Sequence, residues 1–130
     1  MTLFEIVGLY VALNLFLLAT LILRVGMVRM REKINLGDGG NAKMNQRIRA
    51  HGNYTESAPF ALIGLFILAA LSAAPFVLHI FGLMFLIGRI LHAAGMDAKN
   101  AAGKGRVIGM ILTLLTLLGE AISILYLIFT

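Results

Sequence analysis

Four long apolar stretches constrain the fold of this 130-residue chain more than any other feature. About 20 apolar residues suffice for a helix to cross ~30 Å of hydrocarbon. The composition agrees, because 60% of the residues are hydrophobic and only 13% are charged. We therefore predict an all-α integral membrane protein, a bundle of four transmembrane helices that forms one domain over residues 1–130. The spans are expected at about residues 3–23, 47–71, 75–96 and 106–129.

The formal net charge of +5 indicates membrane topology and not nucleic-acid binding. Every lysine and arginine lies within residues 24–49 or 89–106, and both segments flank apolar stretches. Short loops rich in these residues stay in the cytoplasm under the positive-inside rule. We therefore expect a multi-pass protein whose loops 32–46 and 97–105 are cytoplasmic, with the turn 72–75 and both termini on the opposite side.

The sequence contains no cysteine. A disulfide framework, a cysteine nucleophile and a cysteine-based metal centre are therefore excluded, and we predict no metal site. Any thiol chemistry has to use a thiol that a substrate supplies. The run from Gly37 to Gly40 lacks the spacing of a phosphate-binding P-loop and follows no predicted strand, so we interpret it as a turn that ends the first helix.

A polar stretch opens the second apolar segment. When it is read as a helix, Arg49, Asn53 and Glu56 fall at positions i, i+4 and i+7 and share one face. Ionisable groups are costly at the depth where a helix enters a membrane, unless they face a polar cavity or one another. The spacing leaves two interpretations open: a functional site, or a cluster at the helix end whose members pair internally.

Other polar residues fall on the same side of the predicted bundle. Arg89 and His92 share a face near the end of the third segment, and Arg106 lies at the entrance of the fourth. Arg89 and Arg106 are expected to form a cationic, water-accessible cavity with Arg49, Asn53 and the single carboxylate of Glu56. Glutathione suits such a cavity, since its two carboxylates match guanidinium groups and its ammonium suits a carboxylate. A nearby arginine also favours the reactive thiolate.

Three polar residues inside the spans are interpreted as structural. We expect Asn14 to form an interhelical hydrogen bond. His79 is expected to be a packing or interface residue, and Glu120 to make a packing contact or to face the far interface. Pro59 should be tolerated within the second span, because neighbouring helices can satisfy the backbone group that it frees.

Two runs in the sequence resemble a known family. Residues 47–60 read RIRAHGNYTESAPF and resemble the second-helix signature of the membrane-associated proteins in eicosanoid and glutathione metabolism, the MAPEG family. Residues 85–92 read FLIGRILH and are similar to its third helix. The family includes microsomal glutathione transferases, leukotriene C4 synthase, microsomal prostaglandin E synthase and the non-catalytic five-lipoxygenase-activating protein. The resemblance covers nearly the whole chain, and it implies a homotrimer with active sites between neighbouring subunits that face the cytosol.

The resemblance also implies roles for individual residues. Arg49, Asn53 and Glu56 match the glutathione-binding arginine, asparagine and glutamate of the family. Arg106 is the candidate for the arginine that activates the thiolate, and it is our one predicted catalytic residue. Three further residues match positions that line the glutathione site in the family: His51, Arg89 and Arg29.

The sequence departs from the family's catalytic members in the aromatic part of the site. Such members usually carry tyrosines about one and two turns beyond the third-helix arginine, but residues 93–96 here read AAGM. Ser57 stands where some members have a tyrosine. Glutathione binding as a co-substrate therefore remains expected, while turnover and the identity of the acceptor stay open.

Three functions remain open at this point. The favoured one is a membrane-bound glutathione transferase or peroxidase that acts on lipophilic electrophiles entering from the bilayer. The second is a non-catalytic protein of the same fold that binds lipids or a partner. The third is a small four-span multidrug exporter, which is disfavoured because Glu5 lies only at the edge of the first span and because arginines surround Glu56 and repel cationic drugs.

Overall fold

The computed structural model describes residues 1–130 except for the side chain of Asn100. It contains four long helices in a bundle, which confirms the predicted fold class. A short 3₁₀ helix, Lys99–Ala101, precedes the last of them. The long helices are α1 (Leu3–Glu32), α2 (Ala42–Ala70), α3 (Pro75–Met96) and α4 (Lys104–Phe129).

The apolar surface of the helices indicates a multi-pass integral membrane protein. By length and composition, α1, α3 and α4 are each able to cross a membrane. Their outward faces carry large exposed side chains, such as Phe16 (74% exposed) and Leu118 (61% exposed). Contiguous apolar surface of this kind indicates contact with lipid or another chain.

The second helix differs from the span predicted at 47–71. It begins at Ala42, because the side chain of Asn41 accepts a hydrogen bond from the backbone of Met44 and so caps the helix start. The first half of α2 is polar, so three helices, and not four, qualify as spans on composition. The helix has 29 residues and continues through Pro59.

The two polar loops lie at the same end of the bundle, which we call the polar end. Asp97, just after α3, contacts Arg24 of α1 and Arg47 of α2. Gln46 donates a hydrogen bond of 3.2 Å to the carbonyl oxygen of Ala98. At the opposite end, Glu5 forms a capping box with Thr2 at the exposed start of α1, which fixes this carboxylate at the helix edge.

Polar residues within the helices tie the bundle together. The hydroxyl of Tyr54 on α2 shares its single proton between the backbone oxygen of Asn14 (2.9 Å) and its side-chain oxygen (3.2 Å). The interhelical bond predicted for Asn14 is therefore confirmed. His79 lies 3.0 Å from the hydroxyl of Tyr10, which confirms a packing role. Glu120 is buried against α2 at Gly64. If Gly64 carried a Cβ atom, that atom would lie only 2.5 Å from Oε2 of Glu120.

Glycines bring α3 and α4 into close contact. An added Cβ at Gly95 would overlap the backbone nitrogen of Arg106, and one at Gly109 would overlap the carbonyl oxygen of Gly88. An added Cβ at Gly105 would lie 2.7 Å from the carbonyl oxygen of Leu91. Small residues permit this close approach of membrane helices. The contact fixes the start of α4, and with it Arg106, against the end of α3.

Candidate functional site

The predicted polar face of α2 is present and turns away from the bundle. Arg49 and Glu56 are exposed, and Asn53 is half-buried between them. Among the side chains that the structure describes, neither Arg49 nor Glu56 forms an ion pair. The single chain therefore does not pair these two charges internally at the helix end. Both remain available to a ligand or a second chain.

Two of the predicted arginines meet in one cleft at the polar end. The cleft has a volume of about 330 Å³, near the lower end of the range for small-molecule sites. It lies between the first turns of α2, the end of α3 and the start of α4, and we call it the Arg49–Arg106 cleft. Its lining residues are Ala42, Asn45, Gln46, Arg49, Met96, Ala101 and Arg106.

The surroundings of Arg106 extend this cleft. Its guanidinium donates a hydrogen bond of 3.3 Å to the carbonyl oxygen of Ala101. A second depression of about 380 Å³ shares Arg106 and Ala101 and continues along α4 past Val107 and Met110. The arginine therefore lies between a polar cleft and an apolar surface.

Arg89 lies beneath the polar face and not on it. It is 1% exposed, and its Nη2 atom donates a hydrogen bond of 2.7 Å to Oδ1 of Asn53. Nη1 donates to the hydroxyl of Thr113 (3.2 Å), and Nη2 lies 3.2 Å from Nδ1 of His92. A buried charge is costly unless it is hydrogen-bonded, so this network holds α2, α3 and α4 around the guanidinium.

The network orients Asn53. A guanidinium only donates hydrogen bonds, so Asn53 presents its carbonyl oxygen to Arg89 and keeps its amide NH₂ to donate elsewhere. The sequence predicted that Arg89 contacts the cofactor directly. In the single chain Arg89 is buried and holds Asn53, and its direct contact with a cofactor stays a prediction.

The remaining predicted residues lie outside the Arg49–Arg106 cleft. His51 is half-buried on α2. Arg29 donates hydrogen bonds to the carbonyl oxygens of Gly37 (3.0 Å) and Ile34 (3.4 Å), so within one chain it holds the loop after α1. Glu56 lies about two turns along α2 from Arg49, on the same exposed face.

The positions where family members carry tyrosines are used here for packing. Ala93, Gly95 and Met96 are buried. Gly95 abuts the backbone of Arg106, and Met96 lines the cleft. The wall of the cleft on this side is therefore formed by small and aliphatic groups.

Asp97 is a residue that the sequence analysis missed. Its carboxylate contacts Arg24, Arg47 (2.8 Å) and Lys43 (3.9 Å). One signal was available: Asp97 is the only acidic residue between Glu56 and Glu120, and it falls in a segment rich in basic residues. Its partners lie more than 45 positions earlier in the chain, so their identity depends on the fold.

Comparisons with known proteins agree with this architecture. The model of the MAPEG family matches residues 7–126. This chain belongs to the MAPEG family. It is similar to the inner membrane protein YecN of Escherichia coli K12 and to YecN of E. coli O6:H1 strain CFT073. Each is 32% identical over 92 residues, which cover 71% of this chain and 70% of the relative. The search of solved structures found no match.

Proposed function

We propose that this MAPEG protein binds glutathione at its polar end and uses the thiol against lipophilic electrophiles or peroxides that enter from the bilayer. The observation that carries the proposal is the convergence of Arg49 and Arg106 on one cleft of about 330 Å³. One guanidinium there suits a carboxylate of glutathione, and the other suits its thiolate. Glu56, exposed on the same face of α2, suits the ammonium group.

Each residue has a distinct task in this proposal. Arg49 pairs with a carboxylate of glutathione, and the amide NH₂ of Asn53 donates to the peptide. Arg89 positions Asn53 through the 2.7 Å hydrogen bond. Arg106 stabilises the thiolate, since a nearby cation favours the charged form of a thiol. His51 and Arg29 complete the site in our proposal from a neighbouring subunit, because neither lines the cleft within one chain.

The reaction follows from the thiolate. The thiol loses its proton to water, and the thiolate forms a carbon–sulfur bond to an electrophilic carbon while the leaving group departs with its electron pair. With a lipid hydroperoxide, the thiolate forms a sulfur–oxygen bond to the terminal oxygen as the oxygen–oxygen bond breaks, which yields a glutathione sulfenic acid and an alkoxide. The alkoxide takes a proton from water to become the alcohol. A second glutathione then reduces the sulfenic acid to the disulfide and water.

We place the site between subunits of a homotrimer, on the cytoplasmic side. An exposed arginine and an exposed carboxylate on a membrane helix are costly against lipid. A neighbouring copy that covers the face of Arg49 and Glu56 removes this cost and completes the cavity. The lipophilic substrate then arrives along the apolar depression beside Arg106.

One observation favours a second candidate function. The buried Ala93, Gly95 and Met96 replace the aromatic part of the family's site. A non-catalytic protein that binds a lipid or a partner at the same cleft needs the arginines but not the tyrosines. Glutathione binding without formation of a conjugate supports this candidate.

Calorimetric titration of the detergent-purified protein with glutathione tests the binding. Removal of one partner of a desolvated charged pair costs about 2–5 kcal/mol, so Arg49→Ala and Glu56→Ala should each weaken binding more than about tenfold. Lys104→Gln removes an exposed positive charge at the same end and should leave the affinity unchanged. A loss in Lys104→Gln equal to that in Arg49→Ala would mean that only the net positive charge matters.

A further inference from the structure

A second cleft at the polar end lies between α1 and α2 and is lined mainly by cations. Its volume is about 360 Å³. We call it the basic cleft. It is distinct from the Arg49–Arg106 cleft, because Arg47 and Arg49 are two residues apart and so project from opposite sides of α2. Its lining residues are Arg24, Met27, Val28, Arg31, Lys43 and Arg47.

The basic cleft keeps a net positive charge after its own ion pairs are counted. Asp97 contacts three of the four cations. Its Oδ1 atom lies 2.8 Å from Nη1 of Arg47 and 3.9 Å from Nζ of Lys43. The third contact is with Arg24. Arg31 pairs with Glu32 at 2.7 Å. Four cations and two carboxylates leave a charge of +2.

The two innermost arginines are held in place with hydrogen-bond donors to spare. The side chains of Arg24 and Arg47 are only 19% and 16% exposed, so Asp97 fixes them inside the cleft. Each guanidinium carries five N–H donors, and the contacts with Asp97 use one terminal nitrogen of each. The remaining donors form a fork that suits the oxygens of a phosphate.

The position of the cleft along α1 matches the membrane surface. The helix carries no charged residue between Glu5 and Arg24, and Arg24 is its first cation. Met27 and Val28 add apolar surface to the lining. Three exposed residues on α1 are spaced seven positions apart and so lie on one side of the helix: Leu13, Thr20 and Met27. We call them the outward strip, which leads from the cleft towards the hydrocarbon.

We propose that the basic cleft binds the phosphate headgroup of an anionic phospholipid. Arg24 and Arg47 donate to the phosphate, while Lys43 and Arg31 supply the outer positive charge. One acyl chain then lies along the outward strip of α1. Basic pockets between membrane helices are suited to such headgroups, and each lysine or arginine near the surface strengthens the attraction. A free phosphate group shares the headgroup chemistry but has no acyl chain to bury.

Native mass spectrometry of the delipidated protein tests the proposal with phosphatidylglycerol, phosphatidylcholine and inorganic phosphate as probes. We expect phosphatidylglycerol to bind at least about tenfold more tightly than phosphatidylcholine. We also expect inorganic phosphate to compete poorly. Equal binding of the two lipids would overturn the proposal, and full displacement by equimolar inorganic phosphate would assign the cleft to a free anion.

Variants locate the site. Arg31→Gln and Lys43→Gln change side chains that are 71% and 41% exposed, so the fold should persist. Each should lower the preference for phosphatidylglycerol about fivefold. Arg47→Gln should lower it further, with circular dichroism to confirm folding. Arg49→Gln is the matched control on the other side of α2, and it should leave the preference for phosphatidylglycerol unchanged. An equal loss of preference in Arg49→Gln would place the lipid outside the basic cleft.

Discussion

Arg89 donates a hydrogen bond of 2.7 Å to the side-chain oxygen of Asn53. The bond joins a buried cation on α3 to the middle of the polar face on α2. It explains how an asparagine that lies between two exposed charges keeps one orientation. It also gives an acceptor to a guanidinium that is 1% exposed, which lowers the cost of burying this cation.

Loss of this bond should destabilise the protein. Asn53→Ala leaves part of the buried guanidinium without an acceptor, which should lower the free energy of unfolding by about 1–3 kcal/mol. Asn45→Ala changes an exposed amide on the same helix and should fall within about 0.5 kcal/mol of the parent. Denaturant titration in detergent measures both. Equal stability of the two variants would show that the bond contributes nothing.

The contact of Gly95 with α4 should be sensitive to a single methyl group. Gly95→Ala places a Cβ against the backbone of Arg106, and such overpacking costs about 1–3 kcal/mol. Gly26→Ala is the matched control, because its Cβ meets nothing within 4 Å and alanine favours a helix by up to about 1 kcal/mol. Thermal unfolding in detergent compares them. A Gly95→Ala protein as stable as the parent would contradict the close contact.

The helix order and the interhelical bond of Asn14 followed from local patterns in the sequence. Apolar length defined α1, α3 and α4 and the second half of α2, and the mid-span position of Asn14 predicted its interhelical bond. The cap at Asn41 extends α2 through a polar segment, so the helix begins five residues before the predicted span at 47–71.

Contacts between distant segments were not predictable in this way. Arg89 was expected on the surface of the site, but helical spacing cannot tell whether a side chain points into the bundle or out of it. The same limit applies to Asp97, whose partners Arg24 and Arg47 come from other helices.

Labelling from the two sides of the membrane tests the topology. The chain has no cysteine, so single cysteines at Asp38→Cys and Ala74→Cys give a clean signal. The positive-inside rule predicts that only Ala74→Cys reacts with an impermeant reagent outside intact cells. Asp38→Cys should react only after permeabilisation. Labelling of both from outside would contradict the topology and a cytoplasmic cavity.

The subunit number is a separate prediction. We expect a homotrimer in which a neighbouring chain covers the face of Arg49 and Glu56, since charges on that face are costly against lipid. Native mass spectrometry after mild detergent extraction should report three copies of the 14.1 kDa chain. Glu56→Leu should retain the trimer if apolar contacts dominate the interface. A stable monomer of the parent protein would contradict the intersubunit site.

The most direct test of the account is the ultraviolet absorbance of the glutathione thiolate during titration of the purified protein near neutral pH. We predict a saturable thiolate signal for the parent protein. For Arg106→Ala we predict that glutathione still binds but that the signal is lost, because one pKa unit of the thiol corresponds to about 1.4 kcal/mol of stabilisation. Saturable binding without thiolate in the parent would identify a non-catalytic glutathione-binding protein. The absence of any saturable glutathione binding would contradict the central claim.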